Sequence, residues 1–255
     1  MIAELRNVTK NFKGLRAVDN VSFGMEKGET LGIIGPNGAG KTTLFNLMTG
    51  FISLSEGEIF FEGEKISGMP SYQVARKGIF RTFQTIRLFP ELTVLDNILV
   101  GAQMNHESGF VSTILRLPAF RAHEKAIRDR AYEVLELFNI QHLADNLAGD
   151  LPYGTQRVLE MARALAANPK LLLLDEPVAG MNYEESLFLS DTIRKIKDTQ
   201  GVSVIVVEHD MGFVMNLCDR LIVMNYGAKI AEGTPAEIKQ NEEVIEAYLG
   251  KEDVS

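Results

Sequence analysis

A lysine and two threonines, Lys41-Thr42-Thr43, close a run that reads Gly35-Pro36-Asn37-Gly38-Ala39-Gly40. Residues 31–34 before it are an apolar run, and residues 44–48 after it carry apolar residues at helical spacing. The pattern G-x-x-x-x-G-K-[ST], with a strand entering and a helix leaving, is that of a phosphate-binding loop. Glycines at these places let successive N–H groups turn inward at phosphate oxygens, where a Cβ would obstruct them. The helix start adds unsatisfied N–H groups and the positive end of its dipole. Lys41 then reaches the β- and γ-phosphates, and the Thr42 hydroxyl is the expected Mg²⁺ ligand. A glycine-rich turn without chemistry is the bland alternative, and the lysine together with the strand–helix setting argues against it.

A second group of chemically capable residues lies far along the chain. Leu171-Leu172-Leu173-Leu174 delivers Asp175 and Glu176 at its end. A continuous apolar run suits a parallel strand buried on both faces, and ligands gather at the carboxyl ends of such strands. Asp175 can hold Mg²⁺, and Glu176 can orient or deprotonate an attacking water, which makes hydrolysis the expected outcome. The next apolar run, residues 202–207, ends at Glu208-His209-Asp210. His209 is either a cap or surface residue, or a hydrogen-bond partner for a γ-phosphate or its water. Gln84, within the mixed run 78–90, is either a satisfied polar group or an amide that offers oxygen to Mg²⁺ and NH₂ to water at a hinge. Gly154, before the Ala- and Leu-rich helical run 157–167, places bare N–H groups toward an anion. Phe12, in the turn Asn11-Phe12-Lys13-Gly14, reads in isolation as a plug at a sheet edge. Its place upstream of the phosphate loop favours stacking on an adenine ring.

The elements that position these residues follow from periodicity. Alternation over residues 2–8 and the run 18–25 predict strands, and residues 58–66 predict an antiparallel hairpin around Glu62-Gly63. Residues 71–77 predict a short helix capped by Ser71. From 95 to 147 strand signals vanish, while Ile127, Ala131, Val134, Leu135 and Phe138 recur at helical spacing, so a helical subdomain is inserted there. Residues 103–120, with Gly109 and Pro118, read as an irregular excursion. A helix over 184–199, a strand–turn–strand over 220–231 and a helix start capped by Thr234 with Pro235 at its first position complete the core. The charged last residues are expected to fray.

The 255 residues, 45% of them hydrophobic, suffice for one large core with a satellite subdomain. A net charge of −8 argues against a general nucleic-acid binder. The single cysteine, Cys218, forms no internal disulfide and fits a reducing compartment, and its leucine neighbours predict a packed thiol. His106, His123 and His142 have no ligand spacing and are read as structural. The start of the chain shows no basic segment before an apolar one, and no 18 consecutive residues are apolar, so any membrane role is expected to be peripheral.

The order of phosphate loop, Gln84, residues 151–156, Asp175-Glu176 and His209 resembles the ATP-binding subunits of ABC transporters over nearly the whole chain. The resemblance implies an α/β fold: a P-loop NTPase core with a mixed, largely parallel sheet, an antiparallel β subdomain and the helical insertion. Residues 1–90 would hold the β subdomain and the phosphate loop, 91–155 the helical subdomain with the signature, and 156–255 the rest of the core. It implies that Phe12 stacks on adenine, that Gly35 through Thr43 hold ATP, and that Gln84, Asp175, Glu176 and His209 serve Mg²⁺ and hydrolysis. Leu151-Pro152-Tyr153-Gly154-Thr155 would be the signature, with Tyr153 and Gly154 meeting the nucleotide of a second subunit, identical or paralogous. Pro152 stands where serine is usual, which removes a hydroxyl and predicts weaker recognition. Asn182 stands where the D-loop has aspartate.

Finer detail, in Arg81-Thr82-Phe83-Gln84-Thr85-Ile86-Arg87-Leu88-Phe89, Ala179-Gly180-Met181-Asn182 and Glu232-Gly233-Thr234-Pro235, resembles the branched-chain amino acid importer branch. The resemblance implies membrane permease subunits, an extracytoplasmic substrate-binding protein and a place on the cytoplasmic face of the membrane. Phe80, Arg87, Leu88 and Phe89 are expected to form part of the docking surface for the permease. The rival readings are an ATPase for lipid or polysaccharide export, told apart by its membrane subunits, and a soluble ATP-gated regulator, which would have no need of Glu176.

Overall fold

The computed structural model describes residues 1–104 and 118–249. The expected excursion over 103–120 therefore falls mostly outside the described residues, as do His106, the side chain of His123 and the charged end of the chain.

Two sheets carry the molecule. β1 (Ala3–Phe12), β2 (Leu15–Met25), β4 (Glu56–Phe61) and β5 (Glu64–Lys65) form an antiparallel sheet in the order β2-β1-β4-β5. The other sheet runs β10-β9-β3-β8-β7-β6, built from β3 (Thr30–Ile34), β6 (Ile79–Arg81), β7 (Leu171–Asp175), β8 (Ser203–Val207), β9 (Arg220–Asn225) and β10 (Ala228–Gly233). Its pairs are parallel except β9 with β10, the predicted hairpin. Its central strands bury both faces, which explains their unbroken apolar sequence. Leu31, Ile33, Leu171, Leu173, Ile205 and Val207 pack toward the antiparallel sheet. Leu172, Leu174, Val204 and Val206 pack toward the helical side.

The described helices are α1 (Lys41–Met48), α2 (Ser71–Arg76), α3 (Val94–Gln103), α4 (Pro118–Leu137), α5 (Tyr153–Ala166), α6 (Tyr183–Gln200), α7 (Met211–Leu217), α8 (Pro235–Lys239) and α9 (Glu242–Leu249). Between 94 and 150 the described residues form helices and short 3₁₀ turns, joined by one isolated bridge, Thr93 to Leu147. Ile127, Ala131, Val134, Leu135 and Phe138 are buried on α4 as their spacing predicts. Helix α5 runs through residue 155, so the helical part and the core share an element.

Two local expectations are corrected. Ser71 is the first residue of α2, not its cap: Pro70 holds the cap position in extended conformation, and its carbonyl accepts from Gln73 and Val74. Phe80 is only 8% exposed. Its strand pairs with β7, which sets Phe80 opposite Leu172 and turns the ring into the core rather than toward a partner. Thr234 caps α8 with a capping box and Pro235 follows, as predicted. Cys218 is buried, and burial pushes its thiol up to about 12. None of the described helices is long and apolar enough to cross a membrane.

Candidate active site

Parallel pairing in register makes the site. Ile33 sits opposite Val207, and Asp175 opposite Val207 on the other side, so β3, β7 and β8 end along one edge of the sheet. The loops after them carry Gly35, Glu176 and His209 to that edge. There a cavity of about 620 Å³ is lined by Asn37 through Thr43, Gln84, Glu176, His209, Leu15, Arg16, Ala17, Tyr226 and Gly227.

The loop from Gly35 to Gly40 is shaped by close backbone approaches. A Cβ at Gly35 would stand 2.0 Å from the Met224 carbonyl oxygen, and one at Gly40 would stand 2.3 Å from that of Ala17. Both residues also have positive φ, so only glycine fits there without strain. Gly40 caps α1 with no side-chain bond, which leaves the first amides of the helix for a ligand. Lys41 is 6% exposed, and its Nζ donates to the carbonyls of Gly35 at 2.7 Å and Pro36 at 3.0 Å. Burial lowers its pKa, against the pull of the Glu176 and Asp175 charges.

Glu176 is held from two sides. Its Oε1 lies 2.9 Å from His209 Nε2, and its Oε2 accepts from Gln84 Nε2 at 3.1 Å. Glu176 also has left-handed backbone, with φ 50°. Two residues far from it in sequence thus meet around the Glu176 carboxylate. Asp175 is buried below them, where desolvation raises its pKa against an ion pair with Arg81, Nη2 to Oδ2 at 2.8 Å.

The donor set fits a magnesium ion. Asp175 Oδ1 is buried without a hydrogen-bond partner, an acceptor that a hydrated cation would satisfy. Asp175 itself does not line the cavity, but its neighbour Glu176 does, and Thr42 and Gln84 add hard oxygens to the lining, the type Mg²⁺ prefers. No cluster of three or more His, Cys, Asp or Glu side chains suited to a metal occurs among the described residues. A cation here would rest on single protein oxygens and the phosphates of its substrate.

Other expected residues lie elsewhere. Phe12 does not line the cavity: it stands 43% exposed at the end of β1, with Lys10 Nζ 5.0 Å from its ring centroid, while its cross-strand partner Leu15 does line it. Tyr153 and Gly154 open α5 and also lie outside that cavity, Gly154 lining a separate one with Met181 and Glu185. Pro152 caps α5 without a side-chain bond, so the helix starts with free amides. Asn182 caps α6 in a capping box with Glu185, an intrachain role that its D-loop position did not suggest.

Several residues about the site escaped sequence reasoning. Arg157, 2% exposed, donates from Nη1 to the Phe83 carbonyl at 2.5 Å and from Nη2 to the Gln84 carbonyl, so α5 grips the backbone of the glutamine. Glu160, buried beside it, accepts from the Arg87 amide at 3.1 Å, and burial raises its pKa. Glu208 accepts from the amides of Val178, His209 and Asp210, tying together the loops that carry Glu176 and His209, and burial raises its pKa too. The available signal was charge on the apolar face of a helix or next to an apolar strand, which demands a buried partner.

Comparison with known proteins follows the same lines. The family model described as ABC transporter matches residues 18–179, and that described as branched-chain amino acid ATP-binding cassette transporter matches residues 228–254. A high-affinity branched-chain amino acid transport ATP-binding protein of Pseudomonas aeruginosa is 43% identical over 250 residues, 98% of either chain. A crystal structure of the ADP conformation of an ATP-binding cassette of an ABC transporter superposes with a TM-score of 0.85 at 35% identity, covering 98% of this chain and 99% of that one. A dimeric cassette in a post-hydrolysis state bound to ADP and Pi superposes with a TM-score of 0.78 at 26% identity, covering 92% of this chain and 99% of that one.

Proposed function

The chain belongs to the ABC transporter family of ATP-binding subunits, and on that premise we propose that it hydrolyses Mg-ATP between two such subunits to drive branched-chain amino acid uptake. The observation that carries this reading is the Glu176 carboxylate between Gln84 and His209, facing the same cavity as Lys41.

ATP enters with its phosphates against the amides of residues 37–43. Lys41 exchanges its two loop carbonyls for β- and γ-phosphate oxygens, which relieves the desolvation of a buried ammonium. Thr42, Gln84 and Asp175 would hold Mg²⁺, which would supply positive charge to neutralise the phosphates. Glu176 orients a water and takes its proton as the water oxygen bonds to the γ-phosphorus. The bond to the bridging oxygen breaks, and ADP and phosphate leave. His209 Nε2, within reach of Glu176, positions that carboxylate and the γ-phosphate together.

Tyr153 and Gly154 lie outside the cavity of their own chain, which supports their use by the nucleotide of a second subunit. The dimeric relative supports the same assembly. Lacking the serine hydroxyl, the Pro152 signature offers backbone amides and a helix dipole to the γ-phosphate. The C-terminal family match and the named cargo of the relatives support branched-chain amino acids as the transported class. Membrane permeases would carry the cargo, an extracytoplasmic binding protein would deliver it, and this subunit would sit on the cytoplasmic face.

Reconstitution tests the reading. With the membrane subunits in proteoliposomes and Mg-ATP on the side of this subunit, radiolabelled leucine should accumulate, and Glu176→Gln should abolish accumulation. ATP hydrolysis without movement of any branched-chain amino acid would overturn the assignment of cargo.

A further inference from the structure

Arg81 is a cation in the middle of a buried constellation. It closes β6, where its backbone pairs with Leu173, two residues before Asp175. Its side chain is 6% exposed and that of Asp175 1%. Nη2 donates to Asp175 Oδ2 at 2.8 Å, and Nη1 donates to Asn46 Oδ1 on α1 at 2.5 Å. The guanidinium carbon lies 5.0 Å from the Phe83 ring centroid and 5.7 Å from that of Phe45. A planar fork held by two hydrogen bonds and two aromatic rings has little freedom left.

The three elements it joins are those that carry the candidate metal oxygens. Helix α1 holds Thr42, β7 ends in Asp175, and Phe83 immediately precedes Gln84. One oxygen of Asp175 is occupied by Arg81 and the other is free. We propose that Arg81 is a positioning residue for the magnesium site, pinning Asp175 by Oδ2 so that Oδ1 is presented to the ion, and fixing Asp175 relative to Thr42 through Asn46. The inference rests on the Mg-ATP reading of the cavity.

A carboxylate without this pin rotates about its terminal torsion, so the metal must select one orientation among several. Outer partners that orient a ligand typically contribute about 10- to 100-fold to metal affinity. Nucleotide affinity without metal does not depend on that orientation. The two effects are therefore separable.

The test is calorimetric titration of ADP into the full chain, in EDTA and across a series of Mg²⁺ concentrations. For Arg81→Gln the Mg²⁺ concentration that half-develops the gain in ADP affinity should rise roughly tenfold, while affinity in EDTA stays within about twofold of wild type. Arg81→Lys restores the charge without the fork and should recover only part of the shift. Asn46→Ala loosens the second anchor and should move the half-point the same way by a smaller factor, and these two variants carry the test should Arg81→Gln not fold. An unchanged Mg²⁺ half-point in folded variants, or an equal loss of affinity in EDTA, would overturn the inference. A wild-type chain whose ADP affinity ignores Mg²⁺ would instead overturn the metal reading beneath it.

Discussion

Glu176 and Cys218 show how differently two residue types are used in one fold. Glu176 departs from β7 with left-handed backbone and has both carboxylate oxygens engaged, by Gln84 and His209. Glutamine there keeps the shape and would lose the proposed base. Glu176→Gln should therefore lower kcat for ATP about 100-fold or more while ATP binding persists, as measured by steady-state hydrolysis beside equilibrium binding. Cys218 has no such role. Its thiol is raised from an ordinary value of 9.0 to about 12 by burial. The folded state thus keeps a proton that the unfolded state loses, so this group's contribution to stability is intact below pH 9.0 and is lost as pH rises toward 12. The advantage of wild type over Cys218→Ala in denaturant melts should shrink by about 1.4 kcal/mol per pH unit across that window. In the native protein at neutral pH, Cys218 should also resist thiol reagents that label the unfolded chain.

At the scale of elements, α5 ties the glutamine segment to the helical part. Arg157 and Glu160 on its inner face bind the backbone of Phe83, Gln84 and Arg87, and Arg163 donates to the Arg87 carbonyl. Arg157→Met leaves Glu160 buried without its ion-pair partner and should cost about 3–5 kcal/mol in denaturant melts. Further along, Leu88 and Phe89 stand beside this network, Phe89 exposed under the Arg163 guanidinium at 5.5 Å. Replacing both with alanine should weaken co-purification with the membrane subunits and leave soluble ATPase activity within about twofold, since neither touches the cavity. The strands β3, β7 and β8 were legible in the sequence because burial on both faces leaves an unbroken apolar run, and the loop at 35–43 because its backbone tolerates few residue types. The partners of Arg81, Arg157 and Glu208 were not legible, since a buried charge advertises that it needs a partner but not which one. Phe80 misled for the opposite reason: an aromatic near an exposed run reads alike whether its strand turns it inward or outward.

On the scale of the whole molecule, the candidate nucleotide cavity is lined by residues of one chain, and the first residues of α5 are not among them. Phosphate loop, glutamine, carboxylates and histidine converge through the register of one parallel sheet, while Tyr153 and Gly154 start a helix beyond the cavity. Under the proposed function, a chain so built would close its site by meeting another chain, with ATP between them, and reopen once the γ-phosphate is gone. Sequence order suggested this arrangement only through likeness to a family, because nothing in the spacing of Leu151-Pro152-Tyr153-Gly154 says which phosphate it serves. The most direct test is the size of the Glu176→Gln chain in solution with Mg-ATP, beside Mg-ADP and beside wild type. The variant should form a dimer that persists with Mg-ATP and dissolves with Mg-ADP, and the dimer of the hydrolysing wild type should be transient. A variant that binds Mg-ATP and remains monomeric, alone and with a paralogous ATPase subunit, would contradict that closure.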